Sequence, residues 1–238
     1  MRKFLIASAA AIAAMIGLAS PAMAAGGGDV KLQTGEWSFT GPFGYFDKAA
    51  LQRGFQVYRE VCAGCHGLDY IAFRNLADLG YNDEGEMFMR PARPADIIPN
   101  PYRNDNEARA SNNGAMSPDL SLIAKARANG PDYLYSLLLG YVDAPADKDV
   151  PDGMHYNNAY SGNLIAMPQP IYGDDVEYAD GAPTTPEGLS ADVTNFLMWA
   201  AEPKLEARKR IGVAAVFFLS IFLVMSYFAK RRVWADLH

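Results

Sequence analysis

Cys62-Ala63-Gly64-Cys65-His66 holds both cysteines of this 238-residue chain. The pattern Cys-x-x-Cys-His attaches a c-type haem, so a chain built on it has to wrap a porphyrin. On one helical turn, residues three and four apart share a face. The sulfurs of Cys62 and Cys65 can then form thioethers with the two vinyl groups of one macrocycle, and the His66 imidazole can reach its iron. Two other readings compete. A disulfide redox motif needs no adjacent His, and a zinc site needs further ligands, for which only His155 and His238 remain. One such pentapeptide and no internal repeat imply one haem per chain.

The N-terminus places that haem outside the cytoplasm. Arg2 and Lys3 are followed by an apolar stretch from Phe4 to Leu18, and Ala22-Met23-Ala24 offers small residues where a signal peptidase reads. Residues 1–24 are expected to be a signal peptide cut before Ala25, the run being short for a membrane span. A second apolar run, Ile211 to Ala229, has 19 residues without a charge. At helical rise it covers roughly 28 Å, close to the hydrocarbon thickness of a bilayer. Its aromatics Phe217, Phe218, Phe222, Tyr227 and Phe228 go all round the helix, unlike the single stripe of a core helix. Three cations flank each end, so the positive-inside rule gives no orientation. Export does: residues 25–207 form a periplasmic domain, 208–232 an anchor with basic flanks, and 233–238 a cytoplasmic tail.

Between Ala25 and Ala207 there are 13 basic and 26 acidic residues, a net charge of −13. Such a domain does not favour nucleic acid and attracts basic proteins. Solubility alone is the plainer reading. The clusters Asp83-Glu84-Gly85-Glu86, Asp147 to Asp152, and Asp174-Asp175-Val176-Glu177 with Asp180 are candidate docking rims. The pattern is mainly α, with helices expected over Ala49–His66, Asp119–Asn129, Pro131–Gly140 and Ser190–Ala201. Ser190 is the expected N-cap of the last, and Pro131 suits the first turn of the third. Asp143 to Glu187 reads as a long irregular segment, of the kind a ligand organises.

The sixth iron ligand separates an electron carrier from a protein that binds gases or peroxide. His238 lies across the membrane. His155 sits in a loop-like Gly153-Met154-His155-Tyr156. Met1, Met15 and Met23 leave with the signal, Met225 is in the bilayer, Met198 reads as a helix core residue, and Met87 and Met89 lie in an acidic loop. Met116 and Met154 are harder to set aside. Met167 stands out, because Pro168 and Pro170 stiffen the chain behind it and an apolar lead-in precedes it.

Four ordered segments carry a resemblance: Arg53-Gly54-Phe55-Gln56-Val57-Tyr58-Arg59-Glu60-Val61 before Cys62; Ala110-Ser111-Asn112-Asn113-Gly114-Ala115 with Pro118-Asp119-Leu120-Ser121; Ile165-Ala166-Met167-Pro168; and Asn195-Phe196-Leu197-Met198-Trp199-Ala200-Ala201-Glu202-Pro203. With the signal peptide and tail anchor, the chain resembles the cytochrome c1 family of alphaproteobacterial type over essentially its full length. The resemblance implies a class I cytochrome c-like haem domain with long loop insertions and one C-terminal transmembrane helix. It implies one covalent haem c on Cys62 and Cys65, with His66 and Met167 as axial ligands. Arg127 matches the family's propionate-binding arginine, and Pro118 a proline on the His side, whose carbonyl is expected to accept from His66 Nδ1. Asn112 and Asn113 match asparagines near the haem crevice, and Tyr133 a tyrosine at its surface. Ser117-Pro118 departs from the family's frequent Pro-Pro, and the extra disulfide of some bacterial members has no cysteines here.

The implied activity is a one-electron relay in a ubiquinol–cytochrome c oxidoreductase (bc1) complex, from a Rieske iron–sulfur protein to soluble cytochrome c. No bond chemistry is expected on this chain. Cytochrome b and the lipid bilayer are the implied permanent neighbours, in a dimeric complex. Two alternatives stay open: a free membrane-anchored shuttle, separable by particle size in mild detergent, and a haem enzyme or gas sensor, separable by carbon monoxide binding.

Overall fold

A computed structural model describes residues 32–80 and 93–235. The expected signal peptide, the acidic cluster at 83–86, Met87, Met89 and His238 lie outside the described residues. The element order is α1 (Lys48–Val57), a π-helical turn (Tyr58–Cys62), β1 (Leu68–Ala72), a 3₁₀ helix (Phe73–Leu79), β2 (Ile97–Ile98), α2 (Asp105–Ser111), α3 (Ile123–Ala126), α4 (Gly130–Leu139), β3 (His155–Tyr156), β4 (Leu164–Ile165), α5 (Pro186–Ala201) and α6 (Leu205–Val233). The architecture is mainly helical, consistent with a class I cytochrome fold. The two sheets are antiparallel pairs, β1 with β2 and β3 with β4.

The α1–α5 crossing forms the centre of the core. Asp47 caps α1 by accepting from the amide of Ala49. Gly54 lets the two helices approach: a Cβ there would sit 2.0 Å from the Asp192 carbonyl oxygen and 2.8 Å from Phe196 Cβ. Around that point Phe55, Tyr58 and Phe196 are fully buried. Their ring centroids lie 5.3 Å (Phe55–Phe196) and 5.7 Å (Tyr58–Phe196) apart, at the spacing aromatic pairs favour. Arg53 closes the crossing from outside. Its guanidinium donates to both oxygens of the nearly buried Asp192, at 2.8 and 3.1 Å, and to Asp180 at 3.0 Å. Burial pushes the Asp192 carboxyl above its usual value although Arg53 opposes this, and Asp192 holds the guanidinium firmly protonated.

Four expectations change. The helix expected over Ala49–His66 leaves α geometry at Tyr58 and winds as a π-turn to Cys62. The helix expected over Asp119–Asn129 shrinks to Ile123–Ala126. Asp119 accepts from the amides of Asp69 and Ser121, and Ser121 Oγ accepts from the Tyr70 amide, so this stretch braces β1 instead of coiling. At its other end Arg127 is extended. Gly130 then turns the chain at φ +46°, where a Cβ would meet the Ala124 carbonyl at 2.7 Å. Ser190 is not an N-cap; it is buried inside α5. The cap is Thr185, whose hydroxyl accepts from the Gly188 amide at 3.2 Å, and Pro186 occupies the first turn. Within the stretch 143–187, β3 and β4 pair with His155 opposite Ile165 and Tyr156 opposite Leu164, so His155 is on a strand and not in a loop.

Helix α6 is long and apolar enough to cross a membrane, and its most apolar window has no buried residue. It begins with the charged residues Glu206 to Arg210, before the apolar run, and is tied to the rest of the chain there. Glu202 joins Lys125 of α3, at 2.9 Å, to Arg208 of α6. Glu206 accepts from the Phe46 amide at 2.8 Å, and Lys209 donates to the carbonyls of Phe39 and Gly44.

Gly54→Ala forces α1 and α5 apart. It is expected to cost about 3 kcal/mol, at the upper end of overpacking penalties, measured as a lowered midpoint in denaturant unfolding. A loss under about 0.5 kcal/mol would contradict the close approach.

Candidate functional site

The attachment turn is set by the core beneath it. Tyr58, at the start of the π-turn, is fully buried, and its hydroxyl donates to the His66 carbonyl at 3.0 Å. The amide of Ala63 bonds back to the Tyr58 carbonyl at 2.8 Å, which is the five-residue step of a π-turn. The Cys62 carbonyl then accepts from the amides of Cys65, at 3.1 Å, and His66, at 3.0 Å. Cys62, Cys65 and His66 therefore occupy a single turn. Cys62 is half-buried and Cys65 exposed. A Cβ built on Gly64 meets nothing within 4 Å, so the space beside the motif is open. Burial pushes the Cys62 thiol up to about 12.

The His66 ring is oriented by a second segment. Its Nδ1 lies 2.8 Å from the Pro118 carbonyl oxygen. A carbonyl can only accept, so Nδ1 carries the proton and Nε2 is left with a lone pair. Burial holds the imidazole below its ordinary pKa, against the opposing effect of the Pro118 bond. The neutral ring is the form that ligates a metal. Pro118 is placed by the neighbouring pairing of Leu120, whose amide donates to the Gly67 carbonyl at 2.9 Å.

Asn112 ends α2 and works inside the chain. Its amide group donates to the Ala108 carbonyl at 2.7 Å and the Tyr102 hydroxyl at 3.0 Å. The Asn112 bond pulls the Tyr102 phenol down, but burial and the neighbouring Cys65 outweigh it and the net shift is upward. Asn113 takes a left-handed φ of +51° and lies against Gly153. Tyr102 has no motif of its own and was not expected at the site. Helix α2 was also missed, although Asn104, accepting from the Glu107 amide at 3.0 Å, and Glu107, accepting from the Arg103 amide, give it a readable capping signal.

Met167 is half-buried and lies two residues past the end of β4. The Tyr141 hydroxyl donates to the Met167 carbonyl at 3.0 Å. Tyr141 also bridges to Asn157 across an isolated antiparallel pair, so the end of α4 and the β3–β4 hairpin hold one another. Its phenol is pushed well up by burial and by Tyr133 and Tyr172 nearby. Tyr133 is half-buried and sits between Arg127, which lowers its pKa, and Tyr160, which raises it; burial dominates and the net shift is upward. Arg127 itself is exposed at the end of α3. Thus the Tyr141 hydroxyl joins α4 to Met167, with Tyr133 and Arg127 in its electrostatic neighbourhood, and the Pro118 carbonyl joins a separate segment to His66. Tyr141 is the residue sequence reasoning passed over. Its only signal is its place after Gly140, where α4 stops.

Of the other candidates for an iron ligand, Met116 is 45% exposed on the surface. Met198 is half-buried against the core cluster. Among the described residues no three His, Cys, Asp or Glu side chains gather as a metal group, so the ligands of a structural zinc are not assembled. The donor set on the attachment turn suits a haem: two sulfurs on one turn, a neutral imidazole with free Nε2, and open space beside Gly64.

The Cytochrome C1 family model matches residues 37–237. The chain is 45% identical to a protein of Bradyrhizobium diazoefficiens named cytochrome b/c1, over 98% of this chain but only 40% of that protein's length. It is 40% identical to the cytochrome c1 of Rhodospirillum rubrum, over 88% of this chain and 89% of that protein. It is 44% identical to the mitochondrial cytochrome c1 haem protein of Schizosaccharomyces pombe, over 85% of this chain and 72% of that protein.

Proposed function

The chain belongs to the cytochrome c1 family, and from that premise we propose that it is the haem-bearing, membrane-anchored electron-transfer subunit of a bc1 complex. In this reading it takes single electrons from a Rieske iron–sulfur protein and delivers them to soluble cytochrome c. The observation that carries the reading is the Cys62–His66 turn with the His66 ring pinned to the Pro118 carbonyl at 2.8 Å. Cys62 and Cys65 would hold one haem c covalently, and His66 and Met167 would supply the protein ligands to its iron. Bound haem supplies a one-electron iron couple, and a Met–His ligand pair sets it at high potential.

Each residue of the chain then has a physical task. Pro118 fixes the His66 tautomer and leaves Nε2 aimed outward. Tyr58 ties the His66 backbone to the α1–α5 core. Tyr141 holds the Met167 backbone. A ligand pair held from both sides moves little when the charge at its centre changes, which keeps the cost of electron transfer low. Arg127 would offset a propionate charge, with Tyr133 in its electrostatic neighbourhood, and Asn112 would hold the end of α2 through Ala108 and Tyr102. The negative surface draws in a basic electron acceptor. Residues 25–207 lie in the periplasm, α6 crosses the inner membrane beside cytochrome b, and residues 233–238 end in the cytoplasm, within a dimeric complex.

Three outcomes test this. Cys62→Ala removes one thioether, and haem staining after denaturing electrophoresis is expected to fall to a small fraction of wild type; normal staining would exclude covalent attachment there. In Met167→Leu the midpoint potential drops and the reduced protein binds carbon monoxide. Unchanged spectra would remove Met167 as a ligand. Stopped-flow reduction of a basic cytochrome c slows as ionic strength rises from about 0.01 to 0.15 M, because the Debye length shrinks from about 30 to 8 Å. A rate flat with salt sinks the docking role of the acidic surface.

A further inference from the structure

A cleft of about 640 Å³ lies away from the attachment turn, between the Gly41–Phe46 loop and the start of α6. Phe43, Tyr45, Lys48, Asp78, Arg210 and Val213 are among the residues that line it. From this cleft we infer a binding site for one anionic phospholipid, its phosphate held between Lys48 and Arg210 and its acyl chains running down α6.

The walls are built in advance. Lys209 holds the carbonyls of Phe39 and Gly44, and Glu206 holds the Phe46 amide, joining segments more than 150 residues apart. These two charges are spent on the loop and on each other's neighbourhood. Lys48, Arg210 and Asp78 are the remaining charged residues of the lining, with a net positive balance. That balance contrasts with the net charge of −13 over residues 25–207, beside which Arg210 stands in the basic flank of α6.

Position selects a lipid over a soluble anion. Val213 and Ile211 begin the uncharged run of α6, and both are exposed. Phe43 and Tyr45 are 80% and 64% exposed on the facing loop. Aromatic rings at that level suit the membrane interface, with their apolar faces among the upper acyl carbons. Cations just above the apolar run meet headgroup phosphates there. A cleft of about 640 Å³ lined by two cations and by apolar and aromatic residues has the size and chemistry for a headgroup and the first part of its chains.

The inference rests on α6 spanning the membrane. Extraction by alkaline carbonate without detergent would overturn the span itself, whereas failure of the cleft alone leaves the protein in the membrane fraction. The full-length holoprotein, delipidated in detergent, is titrated with phosphatidylglycerol or with phosphatidylcholine of the same chains, and retained lipid is read by native mass spectrometry. Phosphatidylglycerol is expected to be retained preferentially. Lys48→Gln and Arg210→Gln should each weaken retention on the order of fivefold. Lys148→Gln, outside the cleft lining and away from the ends of the apolar run, should leave it unchanged. Equal retention of the two lipids, or retention indifferent to Lys48 and Arg210, overturns the site. So does capture of free glycerol phosphate as strongly as the lipid. In the complex extracted with mild detergent, a photoreactive amino acid at position 43 is expected to label lipid; labelling of another polypeptide instead assigns the cleft to a protein partner and overturns the inference.

Discussion

The close approach of α1 to α5 at Gly54 is the contact on which the remainder of the chain depends. A single missing Cβ lets the Asp192 backbone and Phe196 come within van der Waals range of α1. That approach buries Phe55, Tyr58 and Phe196 together and sets Arg53 on Asp192. Arg53 and Asp192 are costly to bury apart, because either alone would be an uncompensated charge near the core. Together they also reach Asp180, which brings the loop after Met167 onto the same crossing. Two of the segments that resemble the family, Arg53–Val61 and Asn195–Pro203, belong to the two helices of this one junction.

From that junction order passes outward in both directions. Tyr58 carries it to the His66 carbonyl, and Pro118 carries it from a separate segment to the His66 ring. At the other end α5 gives way to Glu202, which pairs with Lys125 and Arg208 and so sets the start of α6 against α3. The attachment turn and the apolar helix are thus two ends of one packed body. For a fixed electron-transfer station this coupling matters, since a relay anchored in a membrane has to present its centre at a constant height and direction.

How far the sequence could be followed varies with the range of the interactions. Short-range signals were legible: the helix through Gly130–Leu139 with Pro131 in its first turn, and the uninterrupted apolar stretch of α6. Misplacements came where a side chain bonded across the fold. Asp119 and Ser121 look like a helix start but cap the amides of β1. Ser190 looks like a cap yet is buried, while Thr185-Pro186, five residues earlier, does the capping. The α-helix stops short of Cys62 because a π-turn rotates the motif over the Tyr58 ring, and no local propensity announces such a turn.

By itself, the sequence determined the chemistry that depends only on spacing or composition: two thiols and an imidazole on one turn, a chain that is acidic outside its apolar segments, and one helix too apolar to be held in water. Covalent spacing and hydropathy are local, so they survive without a fold. Only the tertiary structure decided which proton His66 carries, because the Pro118 carbonyl arrives from 52 residues away. It alone brought Tyr141 to Met167, and it alone built a cationic cleft from a loop and a helix separated by more than 150 residues. Those contacts exist only after the α1–α5 crossing has closed the chain on itself.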